Sequence, residues 1–128
     1  MLEFEEKRFG KRSKNQYYYR SSESKDRCID IKKSIYINSN GKAKIVFDVM
    51  NLDKFSIAIS NLSKEDVFLQ TRVSPDGIFY KNVNGKRIVK ENTIEFCRVE
   101  FIARFVKLHI EGTPCGEVQV YLQGRRIS

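Results

Sequence analysis

Few residues in this chain could do chemistry, and their spacing works against most reactions. Cys28, Cys97 and Cys115 form no CxxC pair and His109 is the only histidine, so the clustered ligands that hold zinc are not encoded. No metal or other cofactor is expected. His109 alternates with Lys107 and Glu111 along its segment, which assigns it to a surface strand face. No candidate nucleophile stands near it, and no catalytic triad can be assembled. Carboxylates are scattered over strand exteriors and turns, so no general acid and base pair stands out. Glycines fall singly at turns and build no phosphate-cradling loop. Asn61-Leu62-Ser63 has the form of a glycosylation acceptor, which is empty without export. An enzyme is not expected. The cysteines could instead join chains, since an odd count leaves a free thiol, three buried thiols or a bond between chains. Cys28 stands where a basic leader meets the rest of the chain, and Cys115 sits in a turn. Cys97, inside "TIEFCRVEF", has the surroundings of a core residue.

The elements that must position these residues read as strands. With 128 residues the chain has room for one hydrophobic core and a short appendage. From Ile29 onward apolar residues alternate with polar ones between turn signals about every 8 to 12 residues, the mark of a sandwich or barrel. "CIDIKKSIYI" sets Ile29, Ile31, Ile35 and Ile37 on one face. After Asn40-Gly41, Ile45, Phe47 and Val49 do the same, followed by Phe55, Ile57 and Ile59. Asn40-Gly41 and Asn84-Gly85 suit the positive φ angles of two-residue hairpin turns. Ser74-Pro75-Asp76-Gly77 predicts a further hairpin closing onto Ile78-Phe79-Tyr80. A last hairpin is expected around Glu111–Gly116, with Val106, Leu108 and Ile110 facing Val118, Val120 and Leu122. Phe101, Ala103 and Phe105 have the opposite parity, which predicts a bulge or bend before Val106. The fold class is therefore all-β: a two-sheet antiparallel sandwich of jelly-roll type over residues 28–128, preceded by an extended arm at 1–27.

That arm carries most of the charge. Lys7, Arg8, Lys11, Arg12, Lys14 and Arg20, with no acid among them, supply six of the net +8, so the remainder is nearly neutral. A nucleic-acid binder usually carries basic residues on its folded surface too, and nucleic acid is not the expected partner. No apolar run approaches the roughly 20 residues of a membrane span. The start Met1-Leu2-Glu3-Phe4-Glu5-Glu6 is acidic where a signal peptide is basic, so synthesis in the cytoplasm is expected. "KRFGKRSKNQYYYRSSESK" has almost no aliphatic residue and cannot fold alone. Fully extended, residues 7–25 reach roughly 60 Å. An arm of this kind can add a strand to a neighbour's sheet edge. Phe4, Phe9, Tyr17, Tyr18, Tyr19 and Arg20 are the expected anchors, and a homo-oligomer or filament is the expected product. Two other readings stay open. In one, exposed aromatics of the sandwich, Tyr36, Phe68, Tyr80 and Tyr121, bind carbohydrate or another surface ligand. In the other, the arm holds single-stranded nucleic acid through its tyrosines and cations.

Three stretches, "FLQTRVSPDGIFY", "FIARFVKLHI" and "GEVQVYLQGR", resemble an uncharacterised family of small all-β domains of spore-forming Firmicutes. The likeness covers about Val67 to Arg125. An N-terminal connector ahead of a compact sandwich, with cysteines near the junction, also looks like the pilin-like subunits of endospore appendages, although the paired cysteines common at their N-termini are missing. The resemblance implies a structural protein that assembles inside the mother cell and meets oxidising conditions after lysis. Its site would be the spore surface, its partners further copies and other surface or coat proteins, and Cys28, Cys115 and Cys97, in that order, its cross-linking candidates.

Overall fold

Alternation sets the strands, and topology decides which of them meet. The computed structural model describes residues 28–97 and 103–127, and the backbone of two N-terminal strands. Those two are β1 (Phe4–Lys7) and β2 (Gln16–Ser21). After them come β3 (Cys28–Tyr36), β4 (Lys42–Asp48), β5 (Leu52–Asn61), β6 (Val67–Ser74), β7 (Lys81–Val89), β8 (Ile94–Cys97), β9 (Phe105–Glu111) and β10 (Glu117–Arg126). From β3 onward the chain forms two four-stranded antiparallel sheets. One has the order β3-β10-β5-β8 and the other β4-β9-β6-β7, with β2 and then β1 added beside β4. Counted from β3, the orders are first-eighth-third-sixth and second-seventh-fourth-fifth, the strand order of a jelly roll.

The inward faces are those the period-two pattern predicts. Ile29, Ile31 and Ile35 of β3, Ile45 and Phe47 of β4, Ile57 and Ile59 of β5, Val106, Leu108 and Ile110 of β9 and Val118, Val120 and Leu122 of β10 share one core. Burying each of these side chains stabilises the fold by about 1.5–3 kcal/mol before chain entropy is counted. Val67 and Leu69 from β6 join them, and Thr71 beyond them is buried as well.

Three expected turns differ, two of them for one physical reason: in a jelly roll a reversal mostly carries the chain across to the opposite sheet. Asn40-Gly41 makes such a corner and not a hairpin, because β3 and β4 lie in different sheets. Gly41 has φ +77°, and Asn38 Oδ1 accepts the N–H groups of Asn40 (2.9 Å) and Lys42 (3.0 Å). Glu111–Gly116 likewise joins β9 to β10 across the sandwich. The two corners are tied together, since Gly112 N–H donates to Gly41 O and Cys115 N–H to Ile37 O.

Asn84-Gly85 does not reverse the chain at all. It lies inside β7, where Thr71 faces Val83 and Leu69 faces Arg87, so Gln70 alone stands against Asn84, Gly85 and Lys86. This is a bulge. Asn84 takes φ 63°, and the Gln70 side-chain amide donates toward the carbonyls of Val83 and Asn84. The Ser74–Gly77 hairpin forms as predicted between β6 and β7, but its return strand begins at Lys81, leaving Ile78, Phe79 and Tyr80 in the loop. β9 is regular from Phe105, which is half-buried opposite Asp48 and Ser74. Phe101, which carries part of the expected phase change, lies outside the described residues.

Candidate functional site

β4 ends its four-stranded sheet, yet its sequence is not that of a bare edge. Ile45-Val46-Phe47 puts apolar side chains on both faces: Ile45 and Phe47 enter the core, and Val46, on the other face, is 0% exposed as well. A strand apolar on both sides is one that is covered on both sides. An edge with no charge at its centre also invites a further strand. That strand is β2, which runs parallel to β4 from Gln16 opposite Lys44 to Arg20 opposite Asp48. β1 lies antiparallel outside it, Phe4 opposite Ser21 and Lys7 opposite Tyr18.

The structure therefore brings most of the predicted arm anchors to one edge of their own chain. Tyr17, Tyr18 and Tyr19 stand opposite Ile45, Val46 and Phe47. Phe4 lies one strand farther out, and Phe9 is outside the described residues. Sequence reasoning named the arm and missed its acceptor; the signal was the unbroken Ile45-Val46-Phe47 run, which departs from alternation. β2 ends beside Asp48, at the end of the sandwich where β3 begins with Cys28 opposite Arg125. The six residues 22–27 between them span up to roughly 20 Å, twice the ~10 Å between packed sheets. That length lets the arm lie on its own β4.

Asp48 anchors the far end of this edge. Its carboxylate accepts from Arg104 Nη2 (3.1 Å) and Nε (3.3 Å), and from Met50 N–H (3.1 Å). The thiols divide as the sequence suggests: Cys28 and Cys115 are exposed and Cys97 is buried. Burial pushes the Cys97 thiol up to about 11, so at neutral pH it is protonated and a poor nucleophile. Cys115 takes φ 69° in its corner. Among the described residues no group of His, Cys, Asp and Glu side chains could hold a metal. Nor is any helix there long and apolar enough to cross a membrane.

His109 lies on the outward strand face that alternation assigns it, but deeper than a surface residue. It is half-buried at the middle of the outer face of the larger sheet, between Lys44 on β4 and Gln70 on β6. Burial first, then Lys44 and Arg72, hold its pKa below the usual value. Asn61 is wholly buried. Its amide donates to Glu65 O (2.7 Å) and Val89 O (2.9 Å) and its carbonyl accepts from Ser63, so the Asn-Leu-Ser triplet is a turn anchor.

The exposed aromatics do not converge on one site. Phe68 lies on the larger sheet, opposite Ile88, and Lys86 Nζ stands 5.9 Å from its ring. Tyr80 is half-buried in the β6–β7 loop beneath Lys107, 4.1 Å from ring to Nζ. Tyr36 and Tyr121 share the outer face of the smaller sheet. There one row runs Lys32, Tyr121, Ala58 and Phe96 across four strands. Tyr121 O–H donates to Gln119 Oε1 (2.9 Å), and Gln123 Nε2 to Asp30 (3.3 Å).

Fold and edge together define a small all-β jelly-roll domain with a strand-forming N-terminal arm. Residues 48–126, more than half of the chain, match the family described as "Domain of unknown function (DUF6385)". The chain belongs to that family, and the match reaches beyond the Val67–Arg125 stretch in which the sequence resemblance lies. No curated protein matches the sequence. Among solved structures, the crystal structure of PirA is similar at 10% identity and a TM-score of 0.48, over 78% of this chain and 96% of that one.

Proposed function

We propose that the chain is a non-enzymatic structural subunit that self-assembles into a fibre or surface layer by exchanging arms. β2 of one copy lies along β4 of the next, in the register it adopts on its own chain. The observation that carries this reading is the character of β4: a terminal strand of the sandwich, apolar on both faces, with a parallel partner supplied by the arm. The same contacts form whichever copy supplies the arm, so concentration and the linker decide. Tethering through a linker as short as residues 22–27 gives the arm an effective concentration on the order of millimolar at its own edge. Dilute chains then close on themselves and concentrated ones exchange. Exchange from head to tail does not close after two copies, and it propagates.

The resemblance to spore-appendage subunits favours the spore surface after mother-cell lysis, with other coat or surface proteins as further partners. Cys28, exposed beside the linker, and Cys115, exposed at a corner, are the thiols free to cross-link such an assembly. The test is deletion of residues 1–27. Light scattering and negative-stain microscopy of the concentrated protein are expected to lose all polymers, and filaments that persist without the arm reject the reading. Single-stranded DNA binding that vanishes with the same deletion, in protein that never polymerises, favours the nucleic-acid alternative.

A second reading rests on the smaller sheet. Tyr121 and Phe96 flank the small Ala58 in one row, with the amides of Gln119 and Gln123 beside them, an aromatic platform suited to a sugar ring. Screening on a glycan array, with Tyr121→Ala as the control, decides whether that face binds carbohydrate.

A further inference from the structure

The two ends of the sandwich differ in what they show to solvent. At the end reached by β4, β6 and β10, Met50, Ile78, Phe79 and Ile127 are all exposed, Ile78 at 70% and Phe79 at 77%. They belong to one surface. Val49 N–H donates to Arg104 O (2.7 Å), Ile127 N–H to Asn51 O (2.9 Å), and Gly77 approaches the Phe105 ring so closely that an added Cβ would stand 3.2 Å from it. At the opposite end the large apolar residues exposed among the described residues are Leu62 and, at the strand ends beside the loops, Tyr36 and Ile94. Its loops otherwise offer Asn, Ser, Thr and Gly, with Glu65, Asp66 and Glu91 against Lys64 and Lys90.

The apolar tip is also locked in place. Ser74, itself buried, accepts the N–H groups of Asp76 (3.2 Å) and Gly77 (2.8 Å) at Oγ and donates to Asp76 Oδ1. That carboxylate oxygen accepts the N–H groups of Ile78 (2.8 Å) and Phe79 (3.0 Å). The Ile78 amide, then the Phe79 amide, holds the Asp76 carboxyl below its ordinary pKa. The two side chains are therefore displayed by a loop that cannot fold back to bury them, and little entropy is lost when they meet a partner. Around them Lys54, Lys81, Arg104, Arg125 and Arg126 outnumber Asp48, Asp53 and Asp76, with Arg104 paired to Asp48 and Arg125 to Asp53.

We propose that this end docks on an anionic lipid surface: Ile78 and Phe79 enter the boundary between headgroups and acyl chains, Met50 and Ile127 lie beside them, and the surrounding lysines and arginines meet the headgroups. Apolar residues ringed by cations are what such a surface attracts. A protein partner would need a complementary apolar hollow. A bilayer needs no matching shape. The docking is independent of arm exchange.

The experiment is flotation of the full chain with phosphatidylcholine vesicles and with vesicles of phosphatidylcholine and phosphatidylglycerol in equal parts. The wild type is expected to float only with the anionic vesicles. Ile78→Ser with Phe79→Ser is expected to weaken binding about tenfold or more, with an unchanged thermal melt because both residues are exposed. Lys54→Glu with Lys81→Glu is expected to weaken it as well, whereas Ile88→Ser, at an exposed apolar site on the larger sheet, leaves it unchanged. Wild-type protein that does not float overturns the proposal. So does a tip variant that floats undiminished, which would assign the binding to the basic arm. Loss of self-association in the tip variant, without any vesicle binding by the wild type, also overturns it and makes the tip a contact between copies.

Discussion

On one side of the sandwich, β7 ends its sheet with three residues bulged against the single Gln70, and β8, described from Ile94 to Cys97, ends the other. Arg87 closes the gap between them, donating to Phe96 O (3.0 Å) and to Glu95 Oε1 (2.7 Å). Lys86 reaches back over the sheet to Glu111 (3.0 Å). On the other side, β4 has no break in its register with β9, no charge at its centre, and accepts another strand. Bulges, short strands and charges are the means by which natural sheets prevent further pairing. The chain sets a bulge and charged side chains at one side, whereas β4 is unbroken and keeps its charges, Lys42, Lys44 and Asp48, off its apolar Ile45–Phe47 centre, so the contrast marks the edge open to addition.

The largest way to break this contrast is to hollow out β4. Phe47→Ala removes a fully buried ring at the acceptor strand, and urea unfolding is expected to show a loss of about 3–5 kcal/mol. Val46→Lys acts on the outer face of the same strand. It forfeits about 1.5–3 kcal/mol of burial and abolishes polymers in light scattering, while in a chain lacking residues 1–27 its cost in stability falls well below that.

A smaller effect sharpens the comparison on the outer face between the edges. The pKa of His109 is lowered in the fold by burial and by Lys44 and Arg72, with Lys42 acting in the same sense and Glu111 opposing. The unfolded chain therefore takes up the proton first. Stability is full above the unfolded value of about 6.5 and is lost as pH falls through the folded pKa. Thermal melts between about pH 5 and 7 are expected to show this slope, flattened by His109→Gln. The smallest effect belongs to the guarded side. Arg87→Ala is expected to cost less than about 1 kcal/mol, because the ion pair is partly exposed, and to induce no new association while the bulge remains.

The depth of the core was legible because a strand buries every second residue whatever it pairs with, and Ile29, Ile31 and Ile35 needed no knowledge of topology. Pairing was less legible. An Asn-Gly dipeptide asks only for a residue that tolerates positive φ, and Asn40-Gly41 spends that freedom on a corner between sheets while Asn84-Gly85 spends it on a bulge. Alternation likewise gave the face of His109 but not its depth, which depends on what the neighbouring strands place around it. The arm announced itself through composition; its acceptor showed only as a local break in alternation at Val46.

Arm exchange is tested most directly by mixing two variants in a Cys28→Ser, Cys115→Ser background, one carrying Tyr18→Cys and the other Val46→Cys, positions that face each other in the β2–β4 register. Oxidation at protein concentrations on the order of millimolar is predicted to yield a covalent dimer containing one copy of each. The account is contradicted if the mixture stays monomeric at every concentration while a single chain bearing both substitutions closes on itself.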